Sequence, residues 1–187
     1  MVEKGKKERI TMKVDYIREE IYMSNYMVKL WATWFTCGNA KKAPGTIGTL
    51  GAIPLYLLIN SLRDVMSDRI YNSLYFLFLI GFFAFSVKIS DIAEKKIYNR
   101  KDPQEVVIDE VLGFMTTMFL VNPHGFWQTL ITVLLGFGIF RLLDITKPGI
   151  IDKAQNYKNG LGVVLDDFIA GVFGNVILAI IVGAIWN

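Results

Sequence analysis

Two residue types that carry much of the chemistry of small protein sites are nearly missing from this sequence. Its 187 residues hold one cysteine, Cys37, and one histidine, His124. A lone cysteine excludes a disulfide framework and any multi-cysteine zinc site. A lone histidine excludes mechanisms built on a histidine pair. The first 30 residues lack the apolar core expected of a secretory signal peptide. Charge is also missing from long stretches: no Asp, Glu, Lys or Arg occurs in 43–62, 70–87, 111–140 or 168–187. The net charge is only +3, so where charges sit matters more than their sum.

What fills these stretches is apolar. Hydrophobic residues make up 53% of the chain, and the mean hydropathy is +0.40. That is too apolar for an ordinary soluble domain and indicates a membrane protein. No β pattern of comparable strength is present. The expected fold is all-α: a membrane-embedded bundle of about five apolar helices, near 45–62, 70–92, 104–121, 125–144 and 163–186. Pro44 and Thr46 suit the start of the first, as an early proline and a capping hydroxyl, and Pro54 is expected to kink it. Asp102-Pro103 reads as the cap and first turn of the third. Asn122-Pro123-His124-Gly125 is a turn, which makes His124 a turn residue rather than a catalyst. Pro148-Gly149 ends the fourth helix. The pieces near 47–60 and 106–121 are short for a full crossing, which tilt or burial within a bundle would explain.

Before these, Met1–Arg9 is a basic tail. Ile10–Phe35 mixes charges with Ile17, Ile21, Val28, Trp31 and Trp34. It reads as an amphipathic helix with tryptophans at headgroup depth, or as a helix packed on the outside of the bundle.

Antiparallel helices alternate direction, and that places the charges. If the loop before residue 45 marks one membrane face, Asp91 and Glu94 return to it, and Asp109 and Glu110 start from it. Arg141, Asp144 and Lys147 return to it, and Asp166 and Asp167 start from it. That face collects 18 of the 20 lysines and arginines, leaving Arg63 and Arg69 opposite. The bias predicts a multi-pass protein of the cytoplasmic (inner) membrane with this face in the cytoplasm.

Two acid pairs stand out: Asp109-Glu110 in Val-Val-Ile-Asp-Glu, and Asp166-Asp167 in Val-Val-Leu-Asp-Asp. Carboxylates in apolar surroundings are costly unless a cation or base compensates them. Gly113 and Gly171 lie four residues after Asp109 and Asp167, on the same helix faces, where small residues allow close helix approach. Four carboxylates with Asp144 nearby suit a hard cation such as magnesium, which takes oxygen ligands and bridges to phosphate. Arg141 and Lys147 flank Asp144 at helical spacing and are suited to hold a phosphate. Together they suggest metal-assisted phosphoryl chemistry at a lipid headgroup surface. Helix-dipole stabilisation of N-terminal acids, or plain ion pairs, would explain one acid pair; two pairs plus Arg-x-x-Asp-x-x-Lys on one face ask for more. A cation-binding transporter or channel component could use the same acids. The Asp-Gly-x-x-Ala-Arg pattern of CDP-alcohol transferases is absent.

Four motifs now coincide: Ala43-Pro44-Gly45-Thr46-Ile47-Gly48-Thr49, Asp109-Glu110-Val111-Leu112-Gly113, Phe140-Arg141-Leu142-Leu143-Asp144-Ile145-Thr146-Lys147-Pro148, and Asp166-Asp167-Phe168-Ile169-Ala170-Gly171. In order and spacing they resemble the phosphatidylglycerophosphatase A family. The resemblance covers a domain at 26–187, with 1–25 as a basic, amphipathic extension. It implies a magnesium-dependent membrane enzyme that removes the terminal phosphate of phosphatidylglycerophosphate to give phosphatidylglycerol. Its partners would be that phospholipid and the membrane, not nucleic acid. Asp109, Glu110, Asp166 and Asp167 would be metal ligands or activate water. Arg141 and Lys147 would hold the phosphate, and Asp144 would orient Arg141 or join the metal shell. Asn39, Thr46 and Thr49 are candidates for substrate contacts. The family's Gly-x-Gly-x-x-Pro loop is replaced here by Thr36, Cys37, Gly38, Asn39, Ala40 and Lys41, without the first glycine and the proline.

Overall fold

The computed structural model of the chain describes residues 22–186 except 155, 156, 158 and 159. The basic tail and the first part of the expected amphipathic segment, residues 1–21, lie outside the described residues. Among the described residues every regular element is helical. In order they are α1 (22–32), α2 (Pro44–Ser61), α3 (Asp68–Ile92), α4 (Ile108–Thr117), α5 (Gly125–Thr146), α6 (Ile150–Ala154) and α7 (Gly160–Trp186). The helix α3 continues into a wide π-helical turn, Ala93–Tyr98. With their flanking turns, α2, α3, α5 and α7 are long and apolar enough to cross a membrane.

The fifth apolar helix is of a different kind. It is α4, ten residues long, or about 15 Å at 1.5 Å per residue, roughly half a bilayer core. Its Ile108, Val111, Leu112, Phe114 and Met115 have no exposed surface. It lies against α7 at the centre of the bundle, and two glycines set the distance: a methyl group added to Gly171 would come within 2.4 Å of the Gly113 carbonyl oxygen. The small residues four positions after Asp109 and Asp167 therefore bring the two acid-bearing helices backbone to backbone.

The sequence pattern placed this helix at 104–121, and the structure shortens it at both ends. Residues 103–107 are held instead as a loop, with the Val107 N–H on the Ala32 carbonyl at 2.8 Å and Val106 on Pro103 at 2.8 Å. At the far end the hydroxyls of Thr116 and Thr117 donate to the carbonyls of Leu112 and Gly113. The Asn175 side chain on α7 donates to the carbonyls of Thr117 and Phe119. Tyr75 of α3 donates to the Met115 carbonyl at 2.9 Å. Helix carbonyls left bare inside a membrane are costly, so a helix can stop there only where side chains take them up.

Two further expectations change. The hydroxyl of Thr46 does not cap α2; the cap position is Ala43, in the left-handed region at φ 47°, with Pro44 opening the helix. Helix α2 continues through Pro54 as one element. Trp34 is not a headgroup anchor: it is 7% exposed, and its indole N–H donates to the Gly51 carbonyl at 2.8 Å. Trp31 and Trp34 meet Phe85 and Phe82 of α3 edge-on, so α1 packs on the outside of the bundle. His124 sits in the turn before α5, as its sequence context suggests, and its backbone N–H donates to the Gln128 side chain.

Candidate active site

The starts of α2, α4 and α7 and the end of α5 converge on one cavity of about 380 Å³. Alternating helix direction had placed these segments at one face, and the cavity is where they meet. Asp109, Glu110, Arg141, Asp144, Lys147, Asp166 and Asp167 all line it. Asn39, Thr46 and Thr49 do not. Thr49 is fully buried and donates its hydroxyl to the Gly45 carbonyl at 2.9 Å. Asn39 is exposed in the loop before α2.

Each functional side chain is set by local chain chemistry. Asp109 and Glu110 occupy the first turn of α4, where free backbone N–H groups favour negative charge. Asp109 accepts a hydrogen bond from the Glu110 N–H at 3.1 Å. Arg141 and Asp144 lie one turn apart on α5 and form an ion pair at 2.5 Å, with only 14% and 11% of their side chains exposed. Pro148 cannot continue α5, and Lys147 closes it in the left-handed region at φ 41°. The Lys147 ammonium donates to Asp166 Oδ2 on α7. The two bases are therefore already engaged with acids.

The remaining carboxylate oxygens are less well served. Asp109, Asp166 and Asp167 are 6%, 4% and 3% exposed. Glu110 Oε2 and Asp166 Oδ1 are buried without a hydrogen-bond partner. Burial, then the neighbouring Glu110, raises the Asp109 carboxyl well above its usual range. Burial pushes the Glu110 carboxyl up to about 8, with the Asp167 and Asp144 charges adding to the effect and the Asp109 hydrogen bond and Arg141 opposing it. Burial disfavours the charge on Lys147, yet its hydrogen bond and attraction to Asp166 hold it above the ordinary lysine value.

Asp109, Glu110 and Asp167 each offer an oxygen, and these atoms lie within 4.8 Å of one another. The donors are carboxylates only, two neighbouring oxygens lack partners, and Arg141 and Lys147 are each paired with other acids of the cavity. This set fits a hard, oxygen-seeking divalent cation.

The sequence reading missed two contributors. Gly45 lies against the acids: a methyl group there would come within 2.1 Å of Glu110 Oε1 and 3.2 Å of an Arg141 guanidinium nitrogen. Asp102, read as a helix cap, instead lines the cavity from the loop before α4 at φ 48°. Its backbone N–H donates to Glu94 Oε1 at 2.7 Å. Its Asp-Pro context gives a cap signal at least as readily as a site signal, so the sequence could not tell the two apart.

Comparison with known proteins adds to this geometry. A family profile described as phosphatidylglycerophosphatase A matches residues 30–182. A phosphatidylglycerophosphatase A of Escherichia coli (strain K12) is 32% identical over 166 residues, covering 88% of each chain. One of Haemophilus influenzae is 28% identical over 152 residues, covering 81% of this chain and 86% of that protein. A Bacteroides thetaiotaomicron protein, named as a candidate phosphatidylinositol-3-phosphatase, is 30% identical over 164 residues, covering 83% of this chain and 94% of its own length. No solved structure matches the chain.

Proposed function

The chain belongs to the phosphatidylglycerophosphatase A family, and from that premise we propose that it hydrolyses the terminal phosphate monoester of phosphatidylglycerophosphate, giving phosphatidylglycerol and inorganic phosphate in phospholipid synthesis. The observation that carries this reading is the buried acid cavity, lined by Arg141 and Lys147, where apolar helices end. A lipid held in the bilayer can bring its phosphate to such a cavity without leaving the membrane. The lysine and arginine bias supports a cytoplasmic location for this face of the inner membrane.

Magnesium is the cation that suits the site, held by Asp109, Glu110 and Asp167, with Asp166 at hand. When bound it would offset the phosphate charge and polarise the phosphorus–oxygen bonds. The chain's own groups do the rest. Arg141, fixed by Asp144, and Lys147, fixed by Asp166, present donors to the phosphate oxygens. A carboxylate of the cluster takes the proton of the attacking water. As water adds to phosphorus, the bond to the glycerol oxygen breaks, and that oxygen leaves as the lipid hydroxyl, taking the proton that the carboxyl received. Side chains lining a part-closed cavity keep this charge redistribution away from bulk water, where it would be screened.

The relatives carry two substrate names that share one chemistry, a phosphate monoester on a lipid headgroup. The experiment that separates them is phosphate release by the purified full-length protein, with magnesium, from phosphatidylglycerophosphate and phosphatidylinositol-3-phosphate side by side. Faster release from phosphatidylglycerophosphate is the expected result. Faster release from the inositol lipid would replace the substrate, and release from neither would overturn the reading.

A further inference from the structure

The charges lining the cavity do not balance. Among the described residues, Asp102, Asp109, Glu110, Asp144, Asp166 and Asp167 face Arg141 and Lys147. With every carboxyl ionised, as cation binding requires, six carboxylates against two bases leave four negative charges. One divalent cation offsets half of that, and a phosphate monoester then brings further negative charge into a site that is still anionic. Both bases are committed to acids of the cavity.

Three acids stand apart from the inner group of Asp109, Glu110 and Asp167, and one of them, Asp144, is paired with Arg141. Asp166 is 4% exposed; Lys147 takes its Oδ2, and its Oδ1 is buried without a partner. Asp102, exposed at the rim, lines the same cavity as Asp109 and Asp166. The loop carrying it is anchored more firmly than an incidental surface aspartate requires. Glu94, 7% exposed at the end of α3, takes the Asp102 N–H on its carboxylate and the Arg100 N–H on its carbonyl. The left-handed backbone at Asp102 is a strained conformation held by those bonds.

We propose that Asp102 and the free oxygen of Asp166 form a second divalent-cation site at the mouth of the cavity, beside the inner carboxylate group. The inference rests on the cavity being a metal-dependent phosphatase site. Two protein carboxylates suffice for such a cation, because magnesium keeps several waters and binds substrate phosphate directly. Two cations bring the lining to neutrality before the substrate enters.

The test counts bound manganese on the full chain in detergent, by equilibrium titration with electron paramagnetic resonance. Two ions per chain are expected for the wild type, with a spin-coupled signal. One uncoupled ion is expected for Asp102→Asn and for Asp166→Asn. Asparagine tolerates the left-handed backbone at 102, and far-UV circular dichroism checks the fold of both variants. One ion in the wild type would overturn the second site and leave the phosphatase reading standing. No bound ion would overturn both. Two ions retained in folded Asp102→Asn would remove Asp102 from the site.

Discussion

Gly45 has no side chain, and that absence makes room for the Glu110 carboxylate and the Arg141 guanidinium. An alanine methyl there would displace one or both, because neither helix start can retreat without moving the site. Gly45→Ala is expected to lower kcat/KM by roughly tenfold or more, since small displacements of positioned groups cost that much, while far-UV circular dichroism stays unchanged. A variant with wild-type kcat/KM would show that Glu110 and Arg141 need no fixed placement. Thr36 presents the reverse case. It stands where the resembling family has its first loop glycine, and it adopts φ 77°, a region that favours glycine. The strain of about 1–2 kcal/mol at such a position exceeds the roughly 0.4–1 kcal/mol of chain entropy that a glycine adds to the unfolded state. Thr36→Gly should therefore raise the melting temperature slightly, and a lowered one would mean that the Thr36 side chain contributes more than its backbone costs. At this scale the acids and bases were legible, because charge in an apolar run has few explanations. Gly45 and Asp102 were not: their roles lie in who their neighbours are, which spacing along the chain does not encode.

Helix α4 shows what pattern reading captures of an element and what it loses. Apolar residues between Val106 and Val121 announce a helix that is short for a crossing, and the structure shows it buried. Its ends are decided elsewhere, by Ala32 at the start and by Asn175 and Tyr75 at the finish. Nothing within residues 104–121 names those partners. Asn175 sits in an uncharged run where a polar residue could as easily face a neighbouring helix for other reasons. Its amide takes the carbonyls of Thr117 and Phe119 together. Replacing it with leucine leaves both without that donor, at a cost of about 1–3 kcal/mol per buried group. Asn175→Leu should thus unfold at lower temperature or denaturant concentration than the wild type. An unchanged midpoint would show that α4 ends there without help. Gly113 and Gly171 were legible as a close-approach pair, since small residues at helical spacing from buried acids have a packing meaning that survives without the fold.

For the molecule as a whole, alternation of helix direction carried the most information. It assigned the acid pairs, Arg141, Asp144 and Lys147 to one face, and the cavity brings them together. The opposite ends of α2 and α5 likewise meet, at a separate cavity lined by Arg63 and His124. The number of crossings was less legible: among the described residues four helices are long and apolar enough to span, and the fifth is a buried half-length element. Hydropathy reports that a segment avoids water, not whether protein or lipid surrounds it. The central claim is that buried carboxylates hold a cation that enables removal of a lipid phosphate. The most direct test is phosphate release from phosphatidylglycerophosphate by the detergent-purified protein, with magnesium and then with excess EDTA, beside Asp167→Asn. The account predicts release with magnesium, its loss in EDTA and its recovery when magnesium is restored. It also predicts a folded but inactive Asp167→Asn. Release that persists in EDTA, or full activity in that variant, would contradict it.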